Sequence, residues 1–553
     1  MSEDILKKIV DRRRADIERL GLTFGFDIPE KRTVGRCEFL GRPGPILEVK
    51  RASPSKGDIA PDLVPADLAC TYAVAGAQAI SVLTETNYFK GTLADLITVA
   101  KAVDNGDTTA KKLGTKKCAV LRKDFLLFED EIDIAYRCGA DAVLLIARIL
   151  DDEQLIKMAK RAQSFEMQAF VEVREPDDLR KLNLVLETLD KEAAGDAAKS
   201  AERTIVAGVN SRDLATFHID PMVPAAIRNK LPAKAVFESG VHTPADAAFA
   251  RSLGFKGILV GEAVAKNPPL ARELVRAFGE AEDNRRGDFW KTFAERRDAK
   301  RAAYAAAFME NGMSADEAEA AARKIPMVKI CGITREEDGF AASEMGADML
   351  GFVFSNTKRL TNEKFVRDFT QLLRSEYEAE GKLCPLFVGV ITETTTEEGK
   401  TAIKLASEGV LDAVQFHGVA APSFCVCHCE ERSDAAIQAV PATLPCYNAL
   451  RIGEESDFAA FEAARKNGEP RVLLDAKVEG VPGGSGKRIP EELLRAKAGE
   501  TPFWLAGGIT PENVSDIIAK FSPELVDVSS CVEDAPGIKN MEKLQQLFMN
   551  LMK

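Results

Sequence analysis

Short apolar runs alternate with longer, helix-like stretches along the whole chain. A strand buried on both faces gives a continuous apolar run, and parallel strands of this kind require helical crossovers. The first half of the chain contains eight such runs, centred on Ile46, Val82, Val120, Leu144, Phe170, Val206, Val236 and Leu259. Eight strand–helix units in succession predict a closed parallel barrel.

The second half repeats the pattern with eight further runs, centred on Val328, Leu350, Phe387, Val414, Leu450, Leu473, Trp504 and Val526. The fifth of these is short and is interrupted by Arg451. We therefore expect an α/β protein made of two tandem (β/α)8 TIM barrels joined by a helical linker.

The stretch between the two halves is charged and rich in alanine. Ser314 and Glu317 have the spacing of a capping box, before a helix that Pro326 would end. The predicted domains are a first barrel at 1–270, a helical linker at 271–325 and a second barrel at 326–553. Two polar stretches of the first barrel are interpreted as insertions, 104–117 and 187–203.

Charge and composition narrow the functional classes. With 74 basic and 86 acidic residues the net charge is −12, which argues against nucleic acid or an anionic membrane as the main partner. No apolar run is long enough to span a membrane, and the first residues lack the apolar core of a signal peptide. Eleven cysteines do not suggest a disulfide framework, so we expect a cytoplasmic protein with reduced thiols.

Polar residues cluster where the runs of the first half end, and barrel active sites lie at these carboxyl ends. The runs end in or beside Glu48 and Lys50, Lys123, Glu172, Asn210 and Arg212, Ser239 and Gly240, and Gly261 and Glu262. Structural ion pairs would explain any one of these residues, but charged groups on six strands together favour a site. The small residues after the seventh and eighth runs suit a phosphate group.

Residues 46–57 resemble the signature of indole-3-glycerol-phosphate synthase, and 81–85, 121–125, 209–214 and 238–240 match the same family in the same order. The family closes an indole ring on a carboxyphenylamino-deoxyribulose phosphate, with loss of carbon dioxide and water. The resemblance implies that Lys123 is the general acid and Glu172 the acid/base for dehydration. It also implies that Lys50 binds or protonates substrate and that Glu48 orients the lysines.

By the same resemblance, Ser53, Phe125, Asn210 and Arg212 would bind substrate, and Ser239, Gly240, Gly261 and Glu262 would surround its phosphate. Glu262 stands where the family often has serine, so only its backbone N–H suits an anion. A lysine that is partly desolvated and faces other cations has a lowered pKa, which suits donation near neutrality. We expect this condition for Lys123.

The second half resembles phosphoribosylanthranilate isomerase over about 326–553, through the stretches at 329–332, 414–418, 473–475, 483–486 and 527–530. The family performs an Amadori rearrangement. The resemblance implies that Asp475 protonates the ribose ring oxygen, that Cys331 as a thiolate removes the C2 proton, and that Arg359 holds the anthranilate carboxylate. Phosphate would be bound by Gly484, Gly507, Gly508, Ser529 and Ser530.

Two departures from the second family stand out. Cys531 replaces a glycine of its phosphate loop. Cys425, Cys427, His428 and Cys429 lie in a stretch with no family counterpart, and we favour an exposed insertion over a metal site because the alternate spacing differs from that of structural zinc. His218, His242 and His417 are given no role.

The sequence thus predicts a fused bifunctional enzyme of tryptophan biosynthesis without metal, nucleotide or redox cofactor. It would act on phosphorylated anthranilate sugars as a monomer. One alternative is a C-terminal barrel that only binds a phosphate ligand or a partner. Another is a different pair of phosphosugar barrels, such as histidine-pathway isomerases, but those resemble two-aspartate sites, unlike Cys331 with Asp475.

Overall fold

All sixteen predicted strands are present, and they close into two parallel barrels of eight strands each. A computed structural model of the chain describes residues 5–104, 117–195, 200–213, 216–424, 440–477, 488–497 and 502–551. In each barrel the strands follow one another in chain order, and the first strand pairs with the eighth. The predicted fold class is therefore confirmed.

The first barrel is built from strands that are almost entirely buried, as their apolar runs predict. Its strands are β1 (Gly44–Val49), β2 (Ala79–Leu83), β3 (Ala119–Lys123), β4 (Ala142–Ile146), β5 (Gln168–Val173), β6 (Ile205–Asn210), β7 (Ala235–Glu238) and β8 (Gly257–Val260). Its helices are α1 (Ile5–Leu20), α2 (Pro65–Ala75), α3 (Leu93–Val103), α4 (Asp130–Arg137), α5 (Asp152–Ser164), α6 (Pro176–Ala193), α7 (Ala201–Thr204), α8 (Met222–Ile227), α9 (Pro244–Ser252), α10 (Glu262–Lys266) and α11 (Leu270–Glu280).

The second barrel has the same construction, and the run interrupted by Arg451 is a full strand of it. Its strands are β9 (Met327–Cys331), β10 (Met349–Val353), β11 (Leu386–Ile391), β12 (Ala413–His417), β13 (Cys446–Ile452), β14 (Leu473–Ala476), β15 (Trp504–Ala506) and β16 (Leu525–Val528). Its helices are α12 (Arg285–Glu310), α13 (Ala315–Ala322), α14 (Glu336–Glu344), α15 (Glu363–Ala379), α16 (Glu397–Glu408), α17 (Phe458–Lys466), α18 (Glu491–Lys497), α19 (Val514–Phe521) and α20 (Met541–Asn550).

The chain divides into two compact units, Met1–Asp283 and Asn284–Lys553, so the expected separate linker at 271–325 is not observed. Helix α11 belongs to the first unit, and α12 belongs to the second. The reason is burial: Arg286 of α12 donates to Glu469 over 2.7 Å, and the Trp290 ring lies 5.7 Å from that of Trp504. Because α12 buries apolar and charged side chains against the second barrel, it belongs to that unit.

Two smaller expectations concern local structure. Ser314 accepts from the N–H of Glu317 and donates its own N–H to the Glu317 carboxylate, so the capping box is present. The supposed insertion at 187–203 is in part the end of α6, whereas the first insertion falls largely outside the described residues. In the part of the chain that the structure describes, no helix has the length and hydrophobicity needed to cross a membrane.

Candidate active sites

A cavity opens at the carboxyl ends of the strands of the first barrel, with an empty volume of about 860 Å³ that includes its mouth. Ten of the residues singled out from the sequence line it: Glu48, Lys50, Ser53, Lys123, Phe125, Glu172, Asn210, Arg212, Ser239 and Glu262. The other two predicted residues, Gly240 and Gly261, are the sequence neighbours of Ser239 and Glu262. Gly240 has a left-handed backbone with φ of +76°, and a Cβ on Gly261 would collide with the Glu48 carboxylate.

Two carboxylates and two lysines form an ion-pair cluster at this cavity, and the Glu172 carboxylate lies near it. Glu48 lies between the lysines, with its oxygens 3.1 Å from Lys50 Nζ and 3.5 Å from Lys123 Nζ. Lys123 Nζ also donates to Glu238 over 3.1 Å. Burial would raise the pKa of Glu48, but the two ammonium charges outweigh it and hold the pKa below its ordinary value.

The expected lowering of the Lys123 pKa is wrong. Burial does favour the neutral amine, but the carboxylates of Glu238, Glu48 and Glu172 outweigh it and raise the pKa of Lys123. The sequence-based expectation assumed that cations surround Lys123, whereas β1, β5 and β7 bring acidic groups to it. Lys123 is therefore held as an ammonium group.

Glu172 occupies a different environment from Glu48, although both are buried in the same cavity. Burial raises the pKa of Glu172 despite the nearby charge of Lys123. The amide nitrogen of Asn210 donates to Glu172 Oε1 over 3.4 Å. Asn210 is held in place because its Oδ1 accepts from Ser239 Oγ over 2.9 Å and from the N–H of Arg212 over 3.0 Å.

Glu238 was not among the predicted site residues, although it ends a strand beside Ser239. Its carboxylate is buried, and burial together with Glu172 raises its pKa while Lys123 opposes the rise. Its position at the end of β7, on a strand whose other residues are apolar, was the signal that could have identified it. The apolar wall of the cavity contributed by α1 had no such signal, because α1 lies outside the strand pattern.

The second barrel has a cavity at the same end, with an empty volume of about 1330 Å³ including its mouth. It is lined by seven predicted residues: Cys331, Arg359, Asp475, Gly507, Gly508, Ser529 and Ser530. Cys531, the residue that departs from the family pattern, also lines it. The remaining predicted phosphate residue, Gly484, lies outside the described residues.

Cys331 is the last residue of β9 and is buried at the base of the second cavity. Burial raises the pKa of its thiol, although the charges of Lys329 and Lys539 act in the opposite direction. The protein without substrate therefore holds Cys331 as a thiol, not as the thiolate that the resemblance implies. Formation of a thiolate has to accompany substrate binding or reaction.

Arg359 faces the second cavity already paired. Its Nε and Nη2 donate to the Glu533 carboxylate at 2.7–3.1 Å. Glu533 also accepts from the buried Lys539 over 2.9 Å. This bidentate contact orients the planar guanidinium group.

His417, which the sequence left without a role, lies directly beside Asp475. Its Nε2 is 3.3 Å from Asp475 Oδ2, and its Nδ1 is 3.2 Å from the amide nitrogen of Gln415. All three side chains line the cavity. The position of His417 at the end of β12 was a signal of the same kind as the ones used for Cys331 and Asp475.

No group of three or more candidate metal ligands occurs among the described residues. Cys425, Cys427, His428 and Cys429 lie outside the described residues, so the choice between an insertion and a metal site stays a prediction.

Comparison with known proteins assigns the two units. Residues 7–277 match the family model "Indole-3-glycerol phosphate synthase", and residues 328–550 match that of "N-(5'phosphoribosyl)anthranilate (PRA) isomerase". An indole-3-glycerol phosphate synthase of Albidiferax ferrireducens is 35% identical over 280 residues, which cover 50% of this chain and 93% of that protein. The chain belongs to both enzyme families, one in each unit.

Relatives of this fused synthase–isomerase also match the chain across both units. A "multifunctional tryptophan biosynthesis protein" of Schizosaccharomyces pombe is 30% identical over 590 residues, which cover 100% of this chain and 66% of that protein. A solved phosphoribosyl anthranilate isomerase of Thermotoga maritima is 28% identical, with a TM-score of 0.33, over 41% of this chain and 98% of that chain. The predicted fusion of two tryptophan-biosynthesis enzymes is confirmed, and the alternative of a different phosphosugar pair is excluded.

Proposed function

We propose that the second barrel isomerises N-(5-phosphoribosyl)anthranilate to 1-(2-carboxyphenylamino)-1-deoxyribulose 5-phosphate, and that the first barrel closes the indole ring of this product. The second reaction releases carbon dioxide and water and yields indole-3-glycerol phosphate. The observation that carries the proposal is the gathering of an acid and a base in each cavity: Lys123 with Glu172, and Asp475 with Cys331.

In the first barrel Lys123 donates a proton to the sugar carbonyl. The surrounding carboxylates support this role because they keep Lys123 protonated before substrate binds. Glu172 exchanges the proton needed for dehydration, and its raised pKa brings it closer to neutral pH than an ordinary glutamate. Lys50, 3.1 Å from Glu48, is available to the substrate carboxylate.

The phosphate of the same substrate binds beside Ser239, Gly240, Gly261 and Glu262. Gly261 precedes α10, and Arg212 Nη1 lies 3.4 Å from Ser55 Oγ. The Glu262 carboxylate is paired with Lys266 over 2.7 Å, which leaves its backbone N–H as the group suited to an anion.

In the second barrel Asp475 protonates the ribose ring oxygen, the ring opens to an imine, and Cys331 removes the proton from C2. Arg359 binds the anthranilate carboxylate with the N–H groups that Glu533 does not use. Gly507, Gly508, Ser529 and Ser530 bind the phosphate, with Gly484 as a further predicted contact. These steps use only groups of the chain itself, in a monomer located in the cytoplasm.

The test is a pair of assays on the purified full chain, each with one of the two phosphorylated anthranilate sugars. We expect turnover of both. Ring closure without isomerisation would support the alternative that the second barrel only binds a phosphate ligand or partner, and the absence of both activities would refute the proposal.

A further inference from the structure

A line of buried polar side chains runs through the second barrel to Asp475. Lys329 lies two residues before Cys331 on β9, and Gln415 lies two residues before His417 on β12. Alternate residues of a strand point to the same face, so each pair faces the barrel interior. Lys329, Gln415 and Tyr447 are almost completely buried, and the contacts among them are therefore shielded from water.

The first contact fixes the orientation of the Gln415 amide. Lys329 Nζ lies 2.5 Å from Gln415 Oε1 and 2.7 Å from Asp527 Oδ2. Burial would lower the pKa of Lys329, but the charge of Asp527 helps to raise it, so Lys329 is an ammonium group with donors only. The Gln415 atom that faces it must be the carbonyl oxygen. Tyr447 OH, 2.9 Å from the same oxygen, donates as well.

The orientation of the amide determines the tautomer of His417. Since Gln415 Oε1 is occupied by two donors, its NH2 group is the one that faces His417 Nδ1 at 3.2 Å. An amide nitrogen donates and does not accept, so Nδ1 has to be unprotonated. The proton of the neutral imidazole is then on Nε2, 3.3 Å from Asp475 Oδ2.

We propose that Lys329, acting through Gln415, is a positioning residue that holds His417 in its Nε2–H tautomer, with Nε2 lying 3.3 Å from Asp475 Oδ2 but not hydrogen-bonded to it in the protein without substrate. The other Asp475 oxygen accepts from the N–H of Ala476 over 2.8 Å. The N–H of Ala476 is therefore hydrogen-bonded to the carboxylate that remains once Asp475 has given its proton away, and the Nε2–H group of His417 lies close to the other oxygen. The effect of this tautomer on the rate of isomerisation rests on the proposed function, whereas the tautomer itself does not.

The tautomer is measured by long-range ¹H–¹⁵N NMR on the full chain labelled at histidine. The chain has four histidines, and the signals that disappear in His417→Gln identify this one. We expect a protonated Nε2 and an unprotonated Nδ1 in the unmodified protein. A protonated Nδ1, in a neutral ring or an imidazolium, would overturn the proposal.

Gln415→Glu is the decisive variant because it keeps the size of the side chain but removes the amide donor. We expect His417 Nδ1 to become protonated and kcat of isomerisation to fall by about tenfold, the usual contribution of one hydrogen bond to a charged group, with a smaller change in KM. An unchanged tautomer or an unchanged kcat would contradict the positioning role.

Tyr447→Phe is the matched control, since Lys329 alone still orients the amide. It should keep the Nε2–H tautomer, and a reversed tautomer would show that Lys329 does not determine the orientation. Both tryptophans of the chain, Trp290 and Trp504, lie in the second unit, so their fluorescence reports whether each variant of this barrel is folded. If Gln415→Glu does not fold, the proposal is tested by NMR on the unmodified protein and on Tyr447→Phe: both should have a protonated Nε2, and a protonated Nδ1 in either would overturn it.

Discussion

The two barrels share a fold but control the protons of their sites in different ways. In the first cavity two lysines are ion-paired with Glu48 and Glu238, and the charge of Lys123 is set by the carboxylates around it. In the second cavity the proposed base, Cys331, is a buried thiol, and the proposed acid, Asp475, lies beside His417, whose ring contacts the Gln415 amide. The comparison teaches that one scaffold can set protonation by ion pairing or by burial and hydrogen-bond direction.

Cys331→Ala tests the second site most strongly. It should lower isomerisation by about 10²–10⁴-fold, the usual contribution of a general base, and leave ring closure unchanged. Assays of the full chain with both substrates measure this directly. Cys384→Ala is the matched control, because Cys384 is half-buried and lies outside the residues lining either cavity. Equal loss of both activities would refute independent sites.

Lys123→Ala tests the charged site in the same way. Ring closure should slow by at least ~10²-fold because the proposed general acid is lost, while isomerisation continues. The measurement is kcat for indole-3-glycerol phosphate formation, with Lys160→Ala on α5, an exposed lysine paired to Glu192, as the control. Retained ring closure would remove Lys123 from this role.

Arg359→Met addresses substrate binding in the second cavity. We expect KM for isomerisation to rise by about 10–100-fold with a smaller change in kcat, since hydrogen bonds to charged groups contribute ~1.5–3 kcal/mol. Tryptophan fluorescence checks that the barrel is still folded after Glu533 loses one partner. A change confined to kcat would place Arg359 in the chemistry and not in binding.

The pH dependence sharpens the contrast between the barrels. Burial raises the pKa of Cys331, so the thiolate fraction is small at neutral pH and grows as pH rises. The kcat/KM of isomerisation should therefore increase between about pH 6.5 and 8.5, by at most about tenfold per unit. Cys531→Ser, which removes the other thiol of the cavity, should keep this slope. A flat profile would contradict the assignment of Cys331 as the base.

The strands, and those cavity residues that lie at strand ends, could be predicted from the chain because both depend on local patterns. An apolar run such as 142–146 identifies a buried strand, and Glu48 or Cys331 is assigned to a site by its place at a strand end. The pKa of Lys123 could not be predicted, since it depends on which carboxylates β1, β5 and β7 bring to it. The packing of α12 against the second barrel could not be predicted from composition either, because only a minority of the residues of this helix are buried.

The docking of α12 determines where the two enzymes can be separated. A fragment that starts at Met327 would lack Arg286, leaving Glu469 as a buried carboxylate without that partner, and would uncover Trp504. Removing one partner of a buried ion pair costs about 3–5 kcal/mol, a large part of the stability of an ordinary domain. A cut after Asp283 keeps the helix with the barrel against which it packs, and we expect the isomerase to fold alone when it is separated at that point.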